Sequence, residues 1–244
     1  MKVYIWGSGG RLGSIIDRQI PQHQRTTAPS AADCWVLAVP TDAARDLIPQ
    51  AGPRTVIDLS VALKTNGAGR YALLDGDCLL DGSPPQHGDR LANPGCFASS
   101  VIVGLRRAGL DQALRGPLHI SAAGGKSTAH RSQDGGIRLS RRLLDHPHVT
   151  EIQRALPGAD IASFALMVAY AQPTGILSVT SGMFDPEVKT TPGVERLDVA
   201  DVVGTPRLAH RLQTDGQRFT LAAAIDNVHF PVDNTLRLIA ALSA

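Results

Sequence analysis

The sequence predicts an α/β protein whose first part is a doubly wound parallel sheet and whose later part carries a second sheet. Three observations lead there. Residues 3–6 (Val-Tyr-Ile-Trp) are a short apolar run that ends in a glycine-rich turn, with a helical stretch at 14–19. Residues 35–40 and 55–60 are apolar, β-branched runs of the kind used by parallel strands covered on both faces, and a helix-forming stretch at 41–50 separates them. Residues 176–181 and 218–221 read as strands of another sheet.

The first turn points to phosphate. Gly7-Ser8-Gly9-Gly10-Arg11-Leu12-Gly13 sets glycines at 7, 10 and 13 between a strand and a helix. That spacing serves a tight turn, close backbone approach to a phosphate and close helix–strand packing. An ordinary strand–helix turn can share the spacing, but its place directly after an apolar strand favours a nucleotide. The phosphates are expected against Gly7, Ser8, Gly10, Arg11, Leu12 and Gly13, the Ser8 hydroxyl and the Arg11 charge adding to the backbone. The helix at 41–50 is expected to be capped by Thr41 or Asp42. Ligands of doubly wound sheets lie at the C-terminal ends of the strands, here near Gly7, Pro40 and Ser60. Only about 15 residues separate the first helix from the strand at Trp35, a short interval for a further strand and its connections. That interval holds no Asp or Glu before Asp33, and Arg25 is its candidate partner for a ribose 2′-phosphate, which leans the cofactor to NADP and leaves NAD open.

The nucleophile candidate lies in Asn93-Pro94-Gly95-Cys96, ahead of a helical pattern at 99–108 with Arg106 and Arg107 in its last turn and Gly109 as its stop. A cysteine between a Pro-Gly turn and a helix N-terminus meets outward N–H groups and the positive end of the helix dipole, which favour a thiolate. The same N–H groups can hold an oxyanion. A lone cysteine there is otherwise a small core residue, so the remaining motifs decide. A short strand at 118–120 leads to Ser121-Ala122-Ala123-Gly124-Gly125-Lys126-Ser127, read as a small-residue loop that lets a substrate approach at Ser121, Gly124 and Gly125. His146-Pro147-His148-Val149-Thr150-Glu151 is the second chemical cluster. Thr150 with Gln153 reads as a capping box, placing a helix start at Thr150. A histidine ahead of a helix N-terminus is held neutral, able to take a proton from a thiol and later return one, and Glu151 can orient it. His-x-His also suits a metal, but no third ligand has matching spacing and no metal is expected. Asp226-Asn227 opens a segment that ends in an apolar helix at 234–242.

Composition narrows the partners. At 244 residues, 43% hydrophobic and 19% charged, the chain has globular values and can form one large or two small domains. A net charge of +2 and 4% aromatic residues argue against nucleic acid and membrane partners. Three cysteines without a Cys-x-x-Cys spacing suit a reduced, cytoplasmic protein. No secretory leader pattern precedes the first strand, and no apolar run reaches membrane-spanning length.

Taken in order, these motifs resemble the N-acetyl-gamma-glutamyl-phosphate reductase family, which belongs with the aspartate-semialdehyde dehydrogenases. The residues are Gly7-xx-Gly10-xx-Gly13, Leu37-Ala38-Val39-Pro40, Val56-Ile57-Asp58-Leu59-Ser60, Tyr71-Ala72-Leu73-Leu74 and Asn93-Pro94-Gly95-Cys96. Arg107-Ala108-Gly109-Leu110, the stretch from Ser121 to Lys126, His146-x-His148-x-x-Glu151 and Asp226-Asn227 follow in the family's order. The resemblance implies a Rossmann-type nucleotide-binding domain at 1–93 and 226–244, and a catalytic and oligomerisation domain at 94–225 inserted before the last helix. It implies NADPH-dependent reduction of an N-acylamino-acid acyl phosphate, free or carrier-linked, to a semialdehyde through a Cys96 thioester. His148 would be the acid/base, Glu151 its orienting partner and His146 a substrate contact, with Asn93 also near substrate and Asn227 near the nicotinamide. It further implies a homodimer or homotetramer.

The departures are as specific. The chain is shorter than typical members, with the loss around the second strand of the nucleotide half. The family's Pro-His-Leu-x-Pro-x-x-Arg-Gly should fall at 164–175, where this chain has neither the histidine nor the arginine. The Lys-Gly-Ala-Ala-Gly after Asp-Asn has become His229-Phe230-Pro231-Val232-Asp233. Arg138, Arg141 and Arg142 are candidate replacement anion contacts or a solvated charged face. Two further readings stay open: a binding or regulatory protein on a degenerate reductase scaffold, and an aldehyde dehydrogenase that uses no phosphate.

Overall fold

A computed structural model describes residues 1–65, 67–75, 78–128, 136–169 and 171–244. The chain divides into two compact units, Met1–Gly95 with Pro231–Ala244, and Cys96–Phe230. The crossings thus fall at Gly95/Cys96 and Phe230/Pro231, against Asn93/Pro94 and Ile225/Asp226 in the sequence reading.

The first unit is α/β. Strands β1 (Val3–Trp6), β2 (Cys34–Leu37), β3 (Thr55–Asp58), β4 (Arg70–Tyr71) and β7 (Arg90–Ala92) form a sheet in the order β1-β2-β3-β7-β4. Every neighbouring pair in it is parallel. A small hairpin, β5 (Leu74–Asp75) with β6 (Cys78–Leu79), completes the strands. Alternation along β1 explains the two covered faces. Val3 and Ile5 join the core under helix α1 (Arg11–Gln19) and the C-terminal helix α5 (His229–Ala241), with Ile16, Val36, Ile57 and Leu238. Tyr4 and Trp6 point to the other face, beside Trp35, Leu37, Val56 and Ala44 of helix α2 (Thr41–Leu47). The N-cap of α2 is Pro40, without a side-chain cap; neither Thr41 nor Asp42 performs that role, and Asp42 pairs with Arg45 at 2.9 Å instead. Proline can stand there because a helix start leaves its N–H groups without intrahelical partners.

The second unit is built on a six-stranded mixed sheet. Strands β8 (Leu114–Gly125), β9 (Ile137–Leu139), β10 (Asp160–Ala169), β11 (Ile176–Phe184), β12 (Leu208–Asp215) and β13 (Arg218–Ile225) run in the order β12-β13-β11-β8-β10-β9. β8 and β10 are parallel, so the chain between them crosses over through helix α4 (Pro147–Ala155). Helix α3 (Cys96–Ala108) lies close on the sheet: a Cβ on Gly104 would stand 2.9 Å from Ala223 Cβ. It stops as the sequence reading expects. Gly109 takes φ +77°, Leu110 N–H donates to Leu105 O and Gly109 N–H to Arg106 O, the bond pair of a Schellman ending. Among the described residues no helix is long and apolar enough to cross a membrane.

One polar network stands inside the first unit. The Asn234 amide on α5 accepts from Leu74 N–H (3.0 Å) and donates to Ala72 O (2.7 Å) and to Asn93 Oδ1 (2.7 Å), while Asn93 donates to Pro231 O (3.3 Å). Both asparagines are buried. Asn234→Ala would strand several of these groups without water, at a cost of about 3 kcal/mol. The thermal midpoint of the intact chain should then fall by roughly 6–12 °C, read by circular dichroism.

Candidate active site

The three cysteines have different surroundings. Cys34, inside β2, is fully buried, and burial followed by the charge of Asp33 pushes its thiol up to about 12, so it stays a protonated core residue. Cys78 is half-buried on β6. Cys96 is half-buried at the first position of α3, so the helix starts at the cysteine rather than after it. A thiol there meets the positive end of a thirteen-residue helix, which favours the thiolate.

The second unit brings three other candidate residues to the start of α3. The ring of Phe97, next to Cys96, lies 5.6 Å from that of His148. His148 Nδ1 is 2.9 Å from Glu151 Oε1, and Glu151 is 0% exposed. The pair is spaced i, i+3 on α4, so the helix itself aligns it. An ionised carboxylate only accepts, so with Glu151 ionised Nδ1 carries the proton and Nε2 the lone pair. His146 stacks between His148 (4.8 Å) and Phe164 (5.5 Å). Phe97 and Phe164 are the contributors that motif reading missed. Burial alternation along β10 is the signal for Phe164, which faces the covered side of the sheet. Ser99, three residues after Cys96, carries a buried hydroxyl with no partner among the described residues.

The start of α4 corrects the sequence reading. The helix begins at Pro147 rather than at Thr150, and its N-cap is His146, whose Nδ1 accepts from His148 N–H at 3.2 Å. Thr150 is an exposed residue within the helix. Proline at the first helical position was the overlooked signal, since its fixed φ and missing N–H suit that position. The cap requires an unprotonated Nδ1, and burial, then the neighbouring His148, lowers His146 to about 4.

Five expected contacts have other work. Ser121 lies in β8, opposite Val179 and Ala165. The next residue along, Ile120, is in register with Thr180, and Thr180 with Leu221, on the face where α3 packs, so Ser121 projects from the opposite face. Gly124 and Gly125 close β8 as paired strand residues rather than a loop; a Cβ on Gly125 would stand 2.8 Å from Gln172 O, so the absent side chain admits neighbouring backbone, not a ligand. Asn93 belongs to the buried network with Asn234. Asn227 Oδ1 accepts from Gly175 N–H (2.9 Å) and Ser127 Oγ (3.0 Å), tying two loops together. Its neighbour Asp226 accepts from Gly204, Val228 and His229 N–H groups; burial pushes the carboxyl up, and these donors outweigh it and hold it below the usual range. Arg138, Arg141 and Arg142 are all exposed. Of the segment at 164–175, Tyr170 lies outside the described residues.

In the first unit the strands are parallel, so Gly7, Pro40, Ser60 and Asn93 follow strand ends on one edge of the sheet. Asp58 shapes that edge, its carboxylate accepting from Ser60 and Leu63 N–H groups, while Ser60 Oγ accepts from Ala62 N–H. Gly7 has φ +81°, and a Cβ on Gly13 would stand 2.2 Å from Gly7 O, so both serve the close turn. Gly9 has no atom within 4 Å of a built Cβ, and Gly10, the N-cap of α1, offers no side-chain cap. Ser8 and Arg11 are exposed and Leu12 is half-buried in the first turn of α1. An open backbone cradle at an uncapped helix N-terminus fits the phosphates of a nucleotide. Arg25 does not take part. Its guanidinium donates to Ile20 O (2.9 Å) and Arg18 O (3.1 Å), closing the opposite end of α1, so the reason for favouring a 2′-phosphate falls away.

The His146 cap has a pH signature. Its folded value of about 4 lies below the ordinary 6.5, so the unfolded chain binds this proton first as pH falls. Stability from this group is present above 6.5 and is lost on acidification toward 4, at up to about 1.4 kcal/mol per pH unit. His146→Asn keeps a capping side chain and removes the titration, so urea midpoints from pH 7 to 4 should fall less steeply than in the parent.

The sequence matches no family model and no curated protein. Solved structures do resemble it. Aspartate semialdehyde dehydrogenase II from Vibrio cholerae superposes with a TM-score of 0.74 at 12% identity, over 98% of this chain and 97% of that one. A probable aspartate-semialdehyde dehydrogenase from Pseudomonas aeruginosa gives 0.73 at 16%, over 98% and 97%. Aspartate semialdehyde dehydrogenase from Francisella tularensis gives 0.66 at 12%, over 98% and 100%. What this likeness establishes is the fold: an α/β unit on a parallel sheet together with a second unit on a mixed sheet.

Proposed function

We propose that the chain is a phosphorylating semialdehyde dehydrogenase that works through a Cys96 thioester. The observation that carries this is the cluster at the start of α3: a cysteine at the helix N-terminus, its neighbour Phe97 against His148, and His148 aligned by buried Glu151. The Cys96 thiolate attacks the carbonyl carbon of an acyl phosphate. The carbon–oxygen bond to phosphate breaks, inorganic phosphate leaves and a thioester remains. N–H groups of the first turn of α3 stabilise the oxyanion of the tetrahedral state. A reduced nicotinamide nucleotide, when bound, supplies the hydride. His148 Nε2 takes the Cys96 thiol proton as the thiolate forms, gives it to the oxygen of the resulting thiohemiacetal and takes it back as the thiolate is expelled and the aldehyde forms. Glu151, accepting from Nδ1, leaves Nε2 as the nitrogen that exchanges this proton, and His146, neutral and stacked, borders the reacting carbonyl.

The substrate class we infer is an acyl phosphate of an N-acylated amino acid, free or carrier-linked. A panel of synthetic acyl phosphates tests the first half-reaction without a cofactor. The intact protein should gain the acyl mass on Cys96, and hydroxylamine should remove it. Cys96→Ser should abolish the thioester and all phosphate-dependent reduction of NAD⁺ or NADP⁺ by the matching semialdehyde. His148→Gln should slow turnover by about 10²–10⁴-fold. Full activity in Cys96→Ser would sink the reading. The loss of a strand beside β1 favours one rival, a binding protein on a reductase scaffold. That rival predicts no acylation by any member of the panel.

A further inference from the structure

The part of the first unit that would read the adenosine end of a dinucleotide is not built. In a complete doubly wound half, the chain leaves the first helix and runs up a strand beside β1, whose C-terminal end presents the residue that contacts the ribose 2′ position. Here the sheet ends at β1. Residues 20–33 form two short 3₁₀ turns and pair with β1 at its beginning. Arg25 makes a single parallel bridge with Val3, and Thr26 N–H donates to Val3 O at 3.1 Å. Lys2 Nζ donates to His23 O (2.8 Å), and Lys2 N–H donates to Asp33 Oδ2 (2.7 Å). The chain then enters β2, pairing Cys34 with Val3. At about 3.3 Å per residue, these anchors lie roughly 13 Å below the glycine turn. The contacts that tie residues 20–33 to the rest of the unit fall at Lys2, Val3 and the C-terminal end of α1. Arg25, the segment's cation for a 2′-phosphate, is held by backbone carbonyls at the C-terminal end of α1 and lies 3.9 Å from Asp17.

The phosphate cradle is nevertheless complete, with open space at Gly9 and the uncapped start of α1 carrying exposed Arg11. We propose that this unit holds a nicotinamide nucleotide by its phosphates and not by its adenosine ribose, so that it takes NADH and NADPH equally and accepts the reduced nicotinamide mononucleotide. The proposal rests on the cofactor reading above and narrows it. A carboxylate on the 2′-hydroxyl or an arginine on the 2′-phosphate, as charge-assisted hydrogen bonds, discriminates about 10- to 100-fold. With neither residue present, the 2′ substituent stays in water and contributes no preference.

Trp6 ends β1 directly before the turn and Trp35 lies 5.4 Å from it, so quenching of tryptophan emission reports a reduced nicotinamide ring bound there. Titration of the full chain with NADPH, NADH and the reduced mononucleotide gives the three dissociation constants. NADPH and NADH should agree within about 3-fold and the mononucleotide should follow within about 10-fold. Arg11→Ala should weaken all three by a common factor, and Arg25→Ala should leave the NADPH-to-NADH ratio unchanged. A preference above 10-fold for either dinucleotide, or a selective loss of NADPH affinity in the Arg25 variant, overturns the proposal while leaving the Cys96 thioester, read by mass, untouched. No quenching by any probe at millimolar concentration overturns the proposal and the cofactor assignment together.

Discussion

The buried amide of Asn234 is the interaction on which the frame of the first unit depends. It binds Ala72, Leu74 and Asn93 at once, so the C-terminal helix, the loop after β4 and the exit of β7 share one polar joint. Asn93 directly follows β7, so the joint fixes where the chain leaves that strand. An asparagine suits the task because its amide both accepts and donates, and a buried backbone group left unpaired would cost more than the bond contributes. The C-terminal helix supplies this joint by leaving the second unit and packing with the first from Pro231 onward.

Around α4 a second economy operates, in which one histidine does structural work so that another can move protons. His146 uses Nδ1 to cap the helix and is stacked between two rings, and burial followed by the neighbouring His148 keeps it neutral. His148, in the first turn of the same helix, has Nδ1 engaged by a fully buried carboxylate. That leaves Nε2 as the atom suited to take and return a proton beside the helix N-terminus that carries Cys96. The two histidines share a motif but not a chemical state, and the difference comes from which of them the helix start requires.

The first unit pairs a complete glycine turn with a sheet that ends at β1 among the described residues. Phosphate binding in this fold is a property of one strand, one turn and one helix start, all present between Val3 and Gln19. Adenosine recognition needs a second strand ending beside the first, and a single bridge at Arg25 stands in its place. β1 is thus a sheet edge among the described residues, and Tyr4, Trp6 and Trp35 pack edge to face on one side of it.

Much of this was legible without the structure. The glycine turn, the apolar strand runs, the cysteine at a helix start, the Gly109 stop and the His148–Glu151 spacing are local patterns, each readable because backbone geometry within a few residues dictates residue type. The length of β8, the parallel partner β10 and the true start of α4 were not read, because short runs of small or mixed residues carry weak periodicity and the Pro147 signal was outweighed by a capping-box pattern. The side-chain roles divide along the same line. By itself the sequence determined which chemistry the chain carries: a phosphate-type turn, a thiol at a helix N-terminus and a histidine aligned by a carboxylate one helical turn away. Only the tertiary structure decided that Asn93, Ser121, Gly125, Asn227 and Arg25 serve the frame. A polar side chain's role is set by the partner that satisfies it, and for Asn93 that partner lies 141 residues away.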